Sequence, residues 1–366
     1  MTPQNVLIYR VGQLGDTLVA LPAIEAIARK HPDCNLILLT DRHANRPNYV
    51  SAWDVLRPNG WINEVIFYEP RDQTVLKQVC QMASLLRRLR QYRFAHVYNL
   101  AMRTTARAVQ RDKFFFRHVV GTVEYMGMDV MCYPPPVALR GHLPAMMPEW
   151  RRLIQRVDAA APLTGFRLRL TEASRKESMV AWPGLAAVGS ACNIALAPGS
   201  KMTSKRWPEA RFIELGQMLL KQWPQLGIIV VGGGEDTALG DRLCTAWGSG
   251  GVNLAGKLSI YASAAVLSCC KLYIGNDTGT MHLAAMTGLP CVAIFSSRDY
   301  PGLWEPYGTG HAILRKDMSC SGCMLETCVE REMACLKEIS VHDVFEAVRV
   351  RLQDALFEMG QVIDVP

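Results

Sequence analysis

No stretch of this 366-residue chain approaches the roughly 18 consecutive apolar residues that a membrane-spanning helix needs. The N-terminus also lacks the charged region and apolar core of an export signal, because Arg10, Asp16 and Glu25 interrupt the run from Val6 to Ile27. A cytoplasmic location is therefore expected, and with it mostly reduced thiols for the twelve cysteines. There is no short-period repeat, no low-complexity tract and no RRM-like or zinc-finger pattern. Basic residues are dispersed apart from Arg87-Arg88-Leu89-Arg90 and Arg151-Arg152, so nucleic acid is not an expected partner.

The chain is 49% hydrophobic and 20% charged, and it exceeds the size near which a single core stops growing, about 250 to 300 residues. Two domains follow. A net charge of +7 suits an anionic ligand or an anionic membrane surface. Apolar strands are expected at Val6–Tyr9, Asn35–Thr40, Val65–Tyr68, His96–Asn99 and Val119–Val120, separated by helices at Leu18–Arg29 and Val75–Tyr92. After irregular stretches at Cys132–Val137 and Arg140–Pro148 and a helix near Glu149–Val157, the alternation restarts. Strands at Asn193–Ala197, Gly227–Val231, Val252–Leu254 and Lys271–Gly275 follow, with Cys291–Phe295 expected to close the sheet. Such alternation implies parallel sheets covered on both faces: an α/β protein of two Rossmann-like, doubly wound domains facing each other across a cleft. The expected divisions are 1–170, a linker at 171–192, a second domain at 193–340, and a C-terminal helix and tail at 341–366 that packs back toward the first domain.

Four loops follow strands and look chemical. In Leu272–Ala285 a strand runs through Gly275-Asn276-Asp277-Thr278-Gly279 straight into a helix. Free N–H groups and the dipole of a helix N-terminus favour a phosphate there. Gly279 admits the ligand, Thr278 and Thr280 add hydroxyl donors, and His282 lies one turn along. Asp277 would repel phosphate, so it either accepts sugar hydroxyls or caps the helix. Pro198–Pro208 offers Ser200, Thr203 and Ser204 beside the cations Lys201, Lys205 and Arg206, the composition of a diphosphate cradle. Val231-Gly-Gly-Gly-Glu-Asp236 lacks the spacing of a Rossmann fingerprint or a Walker loop; Glu235 suits either a ribose or a helix N-terminus. Arg10-Val-Gly-Gln-Leu-Gly-Asp-Thr17 places Asp16 where it either removes a proton from an acceptor hydroxyl or caps the helix that follows.

Gly15-Asp16 with Leu21-Pro-Ala-Ile-Glu-Ala-Ile27, the block Lys205–Glu209, the Gly-Gly-Glu turn and Asp277–His282 together resemble glycosyltransferase family 9, the bacterial lipopolysaccharide heptosyltransferases. The resemblance spans nearly the whole chain. It implies a GT-B fold, an ADP-heptose donor, a lipopolysaccharide-core or other glycolipid acceptor, inversion at the anomeric carbon, and no required metal or cofactor. By the same resemblance Asp16 is the catalytic base, Lys205 stabilises the leaving diphosphate, and Glu235 binds ribose. Leu258 contacts adenine, Asp277 and His282 meet the donor sugar and phosphate, and Arg10 and Gln13 lie near the acceptor. The basic balance and an amphipathic helical surface near Arg87 to Arg90 suggest peripheral attachment to an anionic membrane, on the inner face of the inner membrane. The alternatives are another nucleotide-sugar donor, a different acceptor, or a nucleotide-sugar epimerase or hydrolase on the same fold. Separately, Cys320, Cys323, Cys328 and Cys335 are close enough in sequence for a structural zinc site, although their spacing departs from paired CxxC knuckles and free thiols are the other reading.

Overall fold

The computed structural model describes residues 4–43, 49–69, 75–130, 142–184 and 192–357. Cys132–Val137 lies outside them, whereas residues 142–148 run without helix or strand, as expected. The chain divides into two units, Met1–Pro134 with Glu149–Leu163, and Pro135–Pro148 with Thr164–Pro366.

Unit 1 is built on β1 (Asn5–Tyr9), the most apolar of its strands, buried on both faces as the centre of a parallel sheet must be. Then come α1 (Leu14–Leu18), α2 (Leu21–Lys30), β2 (Asn35–Asp41), α3 (Ala52–Leu56), β3 (Glu64–Tyr68), α4 (Val75–Gln91), β4 (His96–Asn99), α5 (Ala106–Phe114), β5 (Glu124–Gly127) and α6 (Glu149–Val157). The strand order is β3-β2-β1-β4-β5, all parallel. Two expectations are corrected here. The helix expected over Leu18–Arg29 is two helices, because Pro22 opens the second one and withholds the N–H that a continuous helix would require. Val119–Val120 is not a strand but the end of a π-helical turn, Phe115–Val120, which stops at Gly121 in the left-handed region, φ 87°. Phe116 and Val120 point inward four residues apart, a helical spacing that a short β-branched pair conceals.

Unit 2 opens with α7 (Glu172–Ala181), a helix in what the sequence marked as linker; it packs on α10 (Ile260–Leu267). Thr171 caps it by accepting a hydrogen bond from the Ser174 N–H. The sheet contains β6 (Asn193–Ala197), β7 (Gly227–Val230), β8 (Gly251–Asn253), β9 (Leu272–Asn276), β10 (Cys291–Ile294) and β11 (Ala312–Leu314), ordered β11-β10-β9-β6-β7-β8 and again parallel. Cys291–Ile294 therefore does not close the sheet. The edge is β11, whose three residues are too few for periodicity to mark. Between the strands run α8 (Glu209–Gln222), α9 (Thr237–Trp247) and α11 (Gly279–Thr287), and α12 (Ala334–Lys337) and α13 (Val341–Phe357) complete the unit.

Val344, Val348 and Leu352 form a stripe of four-residue steps buried in the same core as Phe212, Leu215 and Leu219 of α8, so α13 covers the sheet of unit 2. Among the described residues no helix is long and apolar enough to cross a membrane.

The packing between α8 and α9 leaves no room at Gly216. A Cβ there would lie 2.2 Å from the indole of Trp247, whose Nε1 donates to the Ile213 carbonyl at 3.0 Å. Alanine in place of glycine normally favours a helix by about 1 kcal/mol. Overpacking costs about 1–3 kcal/mol and wins here. Gly216→Ala is therefore expected to lower unfolding free energy in denaturant titrations followed by tryptophan fluorescence.

Candidate functional site

In unit 2 the strands after β6 diverge, β7 to one side and β9 to the other, and the crevice at that switch is where doubly wound sheets bind ligands. Two loops meet there. Asn276, fully buried at the end of β9, accepts the Trp207 N–H at 3.1 Å and donates from Nδ2 to the Pro198 carbonyl at 2.7 Å, so one amide joins the loop after β6 to that after β9. Lys205 is thereby set facing Asp277: Nζ lies 2.6 Å from Asp277 Oδ2 and 3.2 Å from Asp299 Oδ2. Arg298 Nη1 in turn lies 2.6 Å from Asp299 Oδ2. The result is a nearly buried group of two cations and two carboxylates.

The electrostatics follow from burial and pairing. Burial alone would depress the Lys205 ammonium, but Asp277 and Asp299 outweigh it and raise its pKa above the ordinary lysine value of 10.5. The lysine's own contribution to stability is thus complete below that pH and is lost as pH climbs through the raised value. Asp277 is raised by burial, with Lys205 pulling the other way and Asp299 adding to the rise. Lys205 consequently carries its charge at neutral pH.

The other expected donor residues separate into two groups. Thr278 is the N-cap of α11, with Gly279 and Thr280 in its half-exposed first turn; Asp277 is not the cap, and its Oδ2 faces Lys205. Glu235 and Lys201 are exposed, and Leu258 is half-buried beside Ser259, the N-cap of α10. Glu177 of α7 holds that cap, accepting from Ser259 N and Oγ at 2.6 and 2.7 Å. The glycine turn keeps Asp236 inward instead: a Cβ at Gly199 would meet Asp236 Oδ1 at 1.8 Å, which explains glycine there. Ser200 Oγ accepts the Met202 N–H at 3.3 Å, and Arg206 Nε donates to the Ser200 carbonyl at 2.6 Å.

Ser204 is a correction. It is buried, and its Oγ donates to the Leu325 carbonyl at 2.7 Å while its N–H meets the Glu326 carbonyl at 3.1 Å; it holds chain and presents nothing to a ligand. Thr203 likewise donates to the Glu326 carbonyl at 3.3 Å. His282 is buried, its ring centroid 6.4 Å from that of Trp304.

In unit 1, Gly12 adopts φ 117° and lets the chain turn so that Gln13 caps α1 and Asp16 Oδ2 accepts the Gln13 N–H at 2.9 Å. A Cβ on Gly12 would lie 2.6 Å from the Asp16 Cβ. Asp16 is thus the third residue of a helix beginning at Leu14, not the cap of one beginning at Thr17. Arg10 is 1% exposed, and its guanidinium donates to the carbonyls of Leu100 and Asp16 beneath the turn. Burial lowers its pKa, opposed by Asp16 and Glu149. It is a support for Asp16 rather than a surface contact for an acceptor.

Several polar residues escaped the sequence reading. Arg298, Asp299 and Arg315 lie after β10 and β11; Arg315 Nη2 donates to the Asp299 carbonyl at 2.7 Å. Asp41, at the end of β2, accepts from Tyr49 and lies 3.2 Å from His43 Nε2 and 3.4 Å from the Gly12 N–H. No motif marks them; β2 and β10 lie beside β1 and β9, whose loops were already singled out, and β11 lies beyond β10.

Cys320, Cys323, Cys328 and Cys335 are free thiols; burial, with Cys320 and Cys328 nearby, raises the Cys335 thiol pKa, and among the described residues no three His, Cys, Asp or Glu side chains are arranged to hold a metal ion. Met324 N–H binds the Arg298 carbonyl and Arg298 Nη2 binds the Met324 carbonyl, fixing the chain beside Cys323 to the loop after β10, while Cys335 packs into the α13 core.

The profile of glycosyltransferase family 9 (heptosyltransferase) matches residues 82–334. Lipopolysaccharide heptosyltransferase 2 of Salmonella typhimurium is 31% identical over 114 residues, 29% of this chain and 32% of that protein, so the matched sequence spans about a third of the relative's length. A family 9 glycosyl transferase from Veillonella parvula superposes with a TM-score of 0.70 at 17% identity, covering 96% of this chain and 97% of that one. E. coli ADP-heptose lps heptosyltransferase II does so with 0.66 at 17% identity, covering 96% and 99%. At such identities the structural likeness carries the GT-B fold alone.

The buried charge group generates a stability prediction. Lys205→Met leaves Asp277 and Asp299 buried without their shared cation and is expected to cost about 3–5 kcal/mol in unfolding free energy. Adding Asp277→Asn should recover a substantial part, measured by the same denaturant titration as a double-mutant cycle.

Proposed function

Because the chain belongs to glycosyltransferase family 9, we propose that it transfers heptose from ADP-heptose to a lipopolysaccharide-core acceptor, with inversion and without a required metal. The observation that carries this reading is the Lys205 ammonium held against Asp277 at the carboxyl ends of β6 and β9. A nucleotide diphosphate-sugar answers both charges. Its sugar hydroxyls donate to Asp277, and its diphosphate takes Lys205 and the N–H groups opening α11. As the bond from the anomeric carbon to the diphosphate oxygen breaks, the negative charge accumulating on that oxygen falls where a cation is already oriented. Glu235 would take the ribose hydroxyls and Leu258 the adenine face, with Lys201 and Arg206 flanking the phosphates.

Asp16 is the proposed general base. Its Oδ2 is engaged by Gln13, and among the described residues Oδ1 accepts no hydrogen bond, which leaves that oxygen for an acceptor hydroxyl proton. The hydroxyl oxygen then attacks the anomeric carbon on the face opposite the leaving ADP. The name of the Salmonella relative supports the lipopolysaccharide acceptor, and that of the E. coli protein supports the donor.

Asp16→Asn keeps the capping geometry and removes the base. We expect kcat to fall by about 100- to 10,000-fold with donor Kd unchanged; unchanged turnover would remove Asp16 from the mechanism. Calorimetric titration with ADP, UDP and GDP, each with and without EDTA, tests the donor. Preference for ADP that survives EDTA is the expected result. Preference for UDP or GDP points to a different donor sugar, loss with EDTA to a metal in the site, and absence of any binding refutes the donor assignment.

A further inference from the structure

One face of unit 1 has no role in the chemistry above. The α4 helix and the α5–π-helix segment lie side by side on the same face of the sheet: Leu89 of α4 and Phe116 of the π-turn share a core with Leu7, Ile37 and Val97, and Arg90 Nε donates to the Val119 carbonyl at 2.8 Å. Their outer surfaces are therefore continuous. The first carries Lys77, Arg87, Arg88 and Arg90 and no acidic residue; the second carries Arg107, Arg111, Lys113 and Arg117. All eight are exposed. The one acid among them, Asp112, is buried and accepts from Asn99 and Arg103 at 3.2 and 2.6 Å and from Arg111 Nη2 at 2.8 Å, so the charge of Arg111 is offset and the other seven cations define the face. The exposed carboxylates nearby, Glu64 and Glu124, sit at strand ends, where Tyr92 and His96 engage them.

Apolar side chains stand out from this cationic face. Val79 and Met82 continue the α4 stripe that buries Leu85, Leu86 and Leu89, yet they are 62% and 52% exposed, and Phe114 is 61% exposed amid Arg111, Lys113 and Arg117. A helix layer with a dense single-sign charge and protruding apolar side chains matches the boundary between headgroups and acyl chains. A nucleic acid would satisfy the cations but give Val79 and Met82 nothing to bury against.

We propose that the outer face of α4 and the α5–π-helix segment docks on an anionic lipid bilayer, with Phe114, Met82 and Val79 inserted among the headgroups and the seven cations other than Arg111 against lipid phosphates. The surface stands on charge and exposure alone. Only its purpose, holding Asp16 near a lipid-linked acceptor, rests on the transferase reading.

The test is co-sedimentation of the full chain with phosphatidylcholine vesicles, with and without phosphatidylglycerol, at low and high salt. Binding is expected only to the anionic vesicles, weakened by salt, and reduced about tenfold both by Phe114→Asp and by the pair Lys113→Glu/Arg117→Glu. ADP binding and thermal unfolding, measured on the same samples, are expected to stay unchanged, which separates a docking defect from misfolding. Absence of binding to anionic vesicles, equal binding to neutral ones, or variants that bind as the parent does would each overturn the proposal. Vesicle binding without transferase activity would leave it standing while refuting the function above.

Discussion

A buried ammonium needs carboxylate company, and much of unit 2 is arranged to supply it. Lys205 comes from the loop after β6, and its partner Asp277 lies 72 residues later, at the end of the neighbouring strand β9. Bringing the two together requires Asn276 to join the two loops and Asp299 to share the charge. Asp299 then needs its own cation, so Arg298 is drawn in, and the guanidinium's remaining donors bind the Met324 and Leu325 carbonyls. One charge requirement thus passes from the donor loop through two strands to the cysteine-bearing segment. Ser204 reinforces the connection from the other side. Removing both members of a pair is cheaper than removing one, which is why such a group behaves as a unit.

The turn that carries Asp16 obeys a different constraint. Its geometry is steric first: only glycine reaches φ 117° at position 12 without strain, and only glycine leaves room for the Asp16 Cβ. The Gln13 N–H then orients one carboxylate oxygen, and the buried Arg10 holds the backbone from below. A carboxylate supported in this way is oriented before any substrate arrives, which is the condition under which a base contributes most to catalysis.

How far the sequence could be read depended on whether a feature is local. Most strands of both sheets announced themselves because parallel strands buried on both faces are continuous apolar runs, whereas the edge strands Glu124–Gly127 and Ala312–Leu314 did not. Their loops announced themselves through glycine and hydroxyl residues placed just beyond. Where a residue's fate depends on a distant neighbour, the pattern was silent. Ser204 looks like a phosphate ligand until the 325–326 carbonyls take its hydroxyl and N–H. Arg10 looks like an exposed cation until β4 and α1 close over it. The three-residue strand β11 is too short to carry a period, and the π-turn at Phe115–Val120 imitates a strand because its last two residues are valine.

The sequence by itself determined the alternation of strands and helices, the two successive units, and the positions of the glycine- and hydroxyl-bearing loops that follow the strands. These are set by apolar periodicity and by glycine's unique conformational range, both readable within a few residues. Tertiary structure alone decided that Lys205 is shared by Asp277 and Asp299, that Asp41 joins the Gly12 turn, and that α13 seals the sheet of unit 2. Those outcomes depend on strand order, and strand order is a property of how whole elements pack, with no signature in any single stretch of chain.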